Sequence, residues 1–311
     1  MPKLTISAPA KLNLHLRVMG RRPDGFHDLE SIFLALAFGD TLYFETLDEE
    51  GALEIAMKWQ IEGQLGGNAL FEAIPPEKNI IFRAISLFRD KTGFTQGLRV
   101  CVEKRIPLGG GLGGGSSDGA STLLALNSLA AHGSGLLDRD SLVEMGSCLG
   151  SDLPFFLYAV PDFGTGFSAT AWVSGRGDRI RPLKTPDFFR SLFFVLVNPG
   201  FSSDTAGAYR LLDEFRSVYP SLDNPQPQLA EDALLRAFAA SPTDWPFEND
   251  FLPVFETVPK SQILEQSEKN PPCANAGAAY RNILSQLREL GAEFAGLSGA
   301  GSTCFGVFSQ Q

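Results

Sequence analysis

Between Pro107 and Ala120 the chain reads PLGGGLGGGSSDGA, with six glycines in the seven positions from 109 to 115. Glycine backbones reach positive φ and let N–H groups close on an anion. A helix starting directly after such a loop adds unpaired N–H groups and the positive end of its dipole. The chemistry that suits this pattern is the grip of a polyphosphate by main-chain amides, with little need for cations. Other glycine loops fit less well. A Walker A loop requires GxxxxGK[ST], and no Lys follows these glycines. Gly109, Gly111 and Gly114 satisfy GxGxxG in form, but Lys104-Arg105-Ile106-Pro107 separates the preceding strand pattern from the glycines. The HRD and DFG partners of a protein-kinase loop are absent from the sequence. A flexible surface loop would also carry glycines. Ser116, Ser117 and Asp118, types suited to a helix cap and first turn, favour the cradle.

The remaining sequence must position this loop. With 311 residues, 44% of them apolar and 20% charged, the chain can bury a sizeable core as one large or two ordinary domains. A net charge of -10 argues against a broad nucleic-acid footprint, which needs clustered Lys and Arg. Cys101, Cys148, Cys273 and Cys304 are scattered and form no CxxC pair, which suits reduced thiols of a cytoplasmic protein. The first residues lack the apolar segment of a signal peptide, and runs such as 32–38 and 192–197 are too short to cross a bilayer. No membrane association is therefore expected.

Leu12, Leu14, Leu16 and Val18 alternate with Lys11, Asn13, His15 and Arg17, which predicts a strand with one buried face and with Lys11, Asn13 and His15 together on the other. Strands are expected at 32–38, 41–46, 98–103, 192–197, 294–297 and 304–308. Helices are expected at 79–90, 120–131, 142–148, 206–215 and 283–290. His132 reads as loop surface. RIRPLKTPDF interrupts the pattern near 180–190 and suggests a boundary, giving domains of 1–185 and 186–311.

The loop from Pro107 to Asp118 resembles the second motif of the GHMP kinases, with Leu112, Ser116 and Ser117 in register. APAKLN (8–13) resembles their first motif and LSGAGSTC (297–304) their third. One such match is weak, but three in the right order are specific. APAKLNLHLRVMGRRPDGFHDLESIF, KNIIFRA, LGSDLPFFL, NPGFSSDT and FENDF extend the likeness over nearly the whole chain. RPDGFH, the most particular of these, is similar to the branch that phosphorylates the 2-hydroxyl of a cytidine diphosphate-linked methylerythritol in the non-mevalonate route to isoprenoid precursors.

The resemblance implies an α+β, two-lobed GHMP kinase fold: an N-terminal lobe with the phosphate loop and a C-terminal ferredoxin-like lobe, expected to be either abbreviated or cut short because the sequence stops soon after the third motif. It implies ATP and Mg²⁺ as cofactors, a small-molecule substrate, and a monomer or homodimer. Asp152 matches the catalytic aspartate and Lys11 the lysine paired with it, where an ammonium keeps the carboxylate ionised and can stabilise charge on the transferred group. Asn79, Lys104, Pro107, Gly109, Gly110, Gly111, Leu112, Gly113, Gly114, Gly115, Ser116 and Ser117 fall at nucleotide positions, Ser117 also as a phosphate donor or metal ligand. Asn13, Phe26, His27, Asp152 and Thr205 fall at substrate positions, with Phe26 stacking on the cytosine where the family usually has Tyr. Ser298 to Gly301 would support the phosphate loop. Each has an ordinary reading when taken alone: Asp152 and Thr205 as helix caps, Lys11 and Asn13 as solvated strand residues, Phe26 and His27 as loop packing. Another alcohol kinase of the family, a silent ATP-binding protein and an RNA-binding module remain alternatives; the acidic balance weighs against the last.

Overall fold

The computed structural model describes residues 3–59, 75–130, 137–159, 169–219, 229–257 and 276–309. Strands β1 (Lys3–Arg21) and β2 (His27–Leu47) form one long antiparallel hairpin. The apolar runs 32–38 and 41–46, expected as two strands, are halves of β2. Gly39 and Asp40, which look like a break in sequence, continue the pairing opposite Pro9 and Ala8. The first half of β2 pairs with β5 (Thr170–Gly175) and the second half with β4 (Gly97–Lys104). β3 (Leu53–Trp59) joins parallel to β4, and β6 (Arg179–Leu183) antiparallel to β5. The result is a six-stranded sheet.

Among the described residues, four α-helices lie between these strands in the chain, one before β4 and three after it. They are α1 (Ile80–Thr92), α2 (Gly114–Ala130), α3 (Arg139–Leu149) and α4 (Leu153–Ala159). α2 is buried on nearly every side, and most of its residues are small enough for neighbouring elements to close on it. A Cβ at Gly119 would stand 2.9 Å from Ile80 and 3.0 Å from Leu153, so a glycine lets α1 and α4 close on it. After a 3₁₀ turn at Asp187–Ser191 comes a second sheet, ordered β7 (Leu192–Val197), β9 (Cys304–Ser309), β8 (Phe294–Leu297). That order is three strands of a ferredoxin-like sheet. It packs with α5 (Thr205–Val218), α6 (Glu231–Phe238), α7 (Phe251–Thr257) and α8 (Ala276–Glu289). Arg179–Leu183, taken from sequence as part of a break, belongs to the first sheet. The expectations for Ala131, His132 and Cys273 fall outside the described residues. No described helix is long and apolar enough to cross a membrane.

The strand carrying Lys11 departs most from its sequence pattern. Lys11, Asn13, His15 and Arg17 are all nearly inaccessible, so this stretch of β1 has no solvated face. The pairing register of β1 shifts between Pro9 and Lys11 and again between Asn13 and His15. An extra residue reverses the alternation of a strand. Asn13 therefore pairs with Phe33 but His15 with its neighbour Ile32, which lies on the other face of β2. His15 does not share a face with Lys11 and Asn13: it packs toward Phe247, and burial pushes its pKa down to about 3. Its Nδ1 accepts from the Glu248 amide at 3.2 Å.

Gly39 faces the first of these irregularities. A Cβ there would lie 2.3 Å from the Ala8 carbonyl oxygen and 2.7 Å from Pro9 Cα, backbone atoms that cannot yield cheaply. We expect Gly39→Ala to cost about 1–3 kcal/mol by overpacking. Urea unfolding followed by tryptophan fluorescence measures this, and an unchanged midpoint would show that the hairpin adjusts freely.

Candidate active site

The glycine loop is tied down by its carbonyl groups. The Gly109 carbonyl accepts from the Ser203 amide (2.9 Å), Gly110 from the Thr303 amide (3.1 Å) and Leu112 from the Lys11 amide (2.9 Å). The Gly111 carbonyl accepts from Ser298 Oγ at 2.9 Å. Turning successive carbonyls toward the body of the protein requires unusual dihedrals, and Gly111 and Gly113 adopt φ of 73° and 71°. A Cβ on Gly111 would fall 2.1 Å from the Ser298 carbonyl oxygen. Helix α2 starts at Gly114, six residues before the expected start at Ala120, and the Gly113 carbonyl accepts its first bond from the Ser117 amide at 2.9 Å. The amides of Gly114, Gly115 and Ser116 thus form the open N-terminus of a buried helix. They line a cleft of about 330 Å³, and nothing would obstruct a Cβ on Gly115 within 4 Å.

Lys11 and Asp152 meet in that cleft. Nζ of Lys11 lies 3.7 Å from Oδ2 of Asp152, with the Lys11 side chain 5% exposed and that of Asp152 30%. The ammonium also donates to Asn13 Oδ1 and stands 4.8 Å from the centre of the Phe33 ring. Burial lowers the pKa of Lys11, and the charge of Asp152 offsets part of that fall. Asn13 is fixed in turn: its side-chain amide donates to Ser31 Oγ (3.0 Å) and its backbone amide to Ser298 Oγ (3.3 Å). Asp152 directly precedes α4, whose apolar face (Phe155, Phe156) packs into the core.

Most of the residues expected from sequence converge here. Lys11, Asn13, Lys104, Pro107, Gly109 to Gly115, Ser116, Asp152 and Thr205 line one cleft. Thr205 is the first residue of α5 and not its cap; Asp204 caps the helix by accepting from the Ala206 amide at 3.1 Å. Ser117, Asn79, Phe26 and His27 are not among the described residues lining it. Asn79 caps α1 by accepting from the Ile81 amide (3.0 Å), and Ser117 Oγ is buried without a hydrogen-bond partner. His27 is tucked beside the cleft, bonded to Asp213 (2.7 Å) and stacked on Tyr209 at 5.0 Å. Tyr209 itself lines the cleft, and burial followed by the charge of Asp152 raises its pKa to about 12. Sequence reasoning missed it, although its place one helical turn after Thr205 was the available signal.

A buried ion triad was also missed. Nζ of Lys104 binds Asp118 Oδ2 (2.6 Å) and Asp40 Oδ2, all three side chains being at most 4% exposed. Asp40 Oδ1 also accepts the amides of Arg105 and Ile106 (2.9 Å for the latter). The triad joins the end of β4, the entry to the glycine loop and the second turn of α2. Desolvation lowers the pKa of Lys104, but the two carboxylates outweigh it and hold the pKa above the ordinary lysine value. Lys104 therefore spends its charge on the protein, although it borders the cleft.

An amide-lined polyphosphate cradle with a lysine–aspartate pair between two α+β lobes defines a small-molecule kinase of the GHMP type. Models of the GHMP kinases N terminal domain and the GHMP kinases C terminal domain match residues 79–159 and 259–311. A 4-diphosphocytidyl-2-C-methyl-D-erythritol kinase of Thermodesulfovibrio yellowstonii is 35% identical over 313 residues, covering 99% of this chain and 90% of that protein. The Methylococcus capsulatus enzyme of the same name is 39% identical over 219 residues, covering 70% of this chain and 65% of that protein. A crystal structure of 4-(cytidine 5'-diphospho)-2C-methyl-D-erythritol kinase superposes with a TM-score of 0.64 at 29% identity, over 97% of this chain and 89% of that one. A homoserine kinase from Cytophaga hutchinsonii shares the fold at 17% identity, with a TM-score of 0.60 and coverage of 100% and 86%. The chain belongs to the 4-diphosphocytidyl-2-C-methyl-D-erythritol kinase family.

The triad carries a pH dependence. Burial raises the Asp118 carboxyl to about 7 from 3.8, and Lys104 offsets this only in part. Between about pH 4 and 7 the unfolded chain releases this proton while the folded chain keeps it, so the contribution of Asp118 to stability falls as pH rises through that window. Asp118→Asn removes this dependence. Urea unfolding at pH 5 and pH 8 should show a smaller loss with rising pH in the variant than in the parent, and equal losses would refute the assignment.

Proposed function

We propose that this chain transfers the γ-phosphoryl group of ATP to the 2-hydroxyl of 4-diphosphocytidyl-2-C-methyl-D-erythritol, a step of non-mevalonate isoprenoid precursor synthesis. The observation that carries this is the meeting of Lys11 and Asp152, 3.7 Å apart, in the same cleft as the amides of the glycine loop. Phosphoryl transfer asks a protein mainly for positioning and charge compensation. The loop and the α2 N-terminus hold the triphosphate. Asp152, half open to the cleft, orients the acceptor hydroxyl and takes its proton. Lys11 faces charge that develops on the transferred group, and its burial strengthens that interaction. Mg²⁺, bound with the nucleotide, would supply further neutralisation. The orphaned hydroxyl of Ser117, in the first turn of α2, is an oxygen donor of the kind a hard cation takes.

The acceptor's nucleoside end would lie toward Phe26, His27 and Tyr209, with Asn13 and Thr205 on the side of the alcohol. Lys104 and Asn79 act on the nucleotide through the backbone they hold. A nucleotide lobe of 1–185 and an acceptor lobe of 186–311 agree with the confinement of each sheet to its own side of residue 186. A cytoplasmic location suits substrates as highly charged as these.

Release of ADP in the presence of the cytidyl substrate tests the reading. Asp152→Ala should lose about 10²–10⁴-fold in turnover, the usual worth of a positioned acid–base group. ATP binding, measured by calorimetry, should persist because the cradle is main chain. Equal turnover by parent and variant would remove Asp152 from the mechanism.

A further inference from the structure

Two turns meet beside Asp152. The first joins β1 to β2 and presents Phe26, which is 49% exposed. It is braced by the Arg22 amide donating to the Phe26 carbonyl (2.7 Å) and by the Phe26 amide donating to Asp24 Oδ1 (3.1 Å). The second joins β5 to β6 and carries Arg176. Nε of Arg176 donates to Asp178 Oδ2 (2.7 Å), and another guanidinium nitrogen donates to the Ser147 carbonyl at the end of α3 (3.1 Å). So anchored, the guanidinium lies over the Phe26 ring, 5.4 Å from its centre. The next residue, Gly177, packs against Ser151 and Asp152: a Cβ there would stand 3.3 Å from Ser151 Cβ and 3.7 Å from Asp152 Oδ1. Arg176 thus ties the aromatic turn to the wall of the catalytic cleft.

An exposed phenylalanine at the tip of a turn rotates among rotamers, and a ligand that stacks on it must first order it. A planar guanidinium on one face removes that freedom and leaves the other face for a second planar group. This chain has Phe26 where a phenol would bring its own polar anchor, and Arg176 supplies an anchor from outside the ring. We propose that Arg176 is a positioning residue for the acceptor, fixing the Phe26 ring as a preset wall for a pyrimidine base and so favouring alcohols that carry a nucleotide. This rests on the functional reading above, which places cytidine at that end of the cleft.

Steady-state kinetics with the cytidyl substrate, alongside inhibition by cytidine monophosphate, test it on Arg176→Ala, Arg176→Lys, Phe26→Ala and the double variant Arg176→Ala/Phe26→Ala. Arg176→Ala should raise KM for the acceptor about tenfold, with KM for ATP unaltered and kcat changed by about twofold or less. Arg176→Lys should recover little, since an ammonium has no planar face to stack. The double variant should bind the acceptor no worse than Phe26→Ala alone, because the two residues act as one. Additive losses, or a fall in kcat at constant acceptor KM, would overturn the proposal and assign the effect to Gly177 and Asp152. If Arg176→Ala melts below the assay temperature, Arg176→Lys decides: an unchanged inhibition constant for cytidine monophosphate overturns the claim. Parent protein that binds no cytidine nucleotide overturns both readings. Turnover of the substrate by the parent, with both Arg176 variants unaffected, overturns this one alone.

Discussion

A peptide group presents a donor on one side and an acceptor on the other, and whatever fixes one fixes the direction of both. In the glycine loop the acceptors are fixed. Four successive carbonyls, from Gly109 to Leu112, are claimed by Ser203, Thr303, Ser298 and Lys11. These partners come from the segment before α5, the turn between β8 and β9, and β1. Both lobes therefore hold the cradle, and its amides are left toward the cleft. A protein of net charge -10 can in this way receive a polyanion, since aligned dipoles serve where a cationic patch would otherwise be required.

Burying charge next to such a cradle is costly unless every ion is paired. The protein does so twice, with different results. Asp40, Lys104 and Asp118 form a tight, buried group that also binds the backbone at the mouth of the loop and holds β4 and α2 together, with Asp118 Oδ1 left without a hydrogen-bond partner. Lys11 and Asp152 are paired more loosely at 3.7 Å, with the carboxylate partly open to the cleft. The Asp152 carboxylate is therefore less fully committed to its partner than the ions of the triad and keeps a side open to the cleft. The tight triad brackets the loop between Lys104 and Asp118, and it is the loose pair, open to the cleft, that suits chemistry.

Local residue order determined much of this protein by itself. Six glycines ahead of a helix pattern announced an anion cradle, because backbone freedom and a helix N-terminus are both local properties. The order of APAKLN, the glycine loop and LSGAGSTC was sufficient for the family, and it pointed to Lys11, Asp152 and Thr205, which the fold brings into one cleft. Tertiary structure alone decided the rest, through contacts between residues far apart in the chain. The period of two in β1 suggested that Lys11, Asn13 and His15 share an exposed face. Pairing with β2 through two register shifts sends His15 to the other face, and packing on both sides leaves none of them exposed. Asp118 looked like a helix cap until a lysine from β4 and an aspartate from β2 closed around it. Arg176 carries no signal in the sequence and acquires meaning only where its turn meets Phe26. Spacing along a chain reports which residues can share a face, but burial, charge pairing and bulge position depend on partners brought from elsewhere in the sequence.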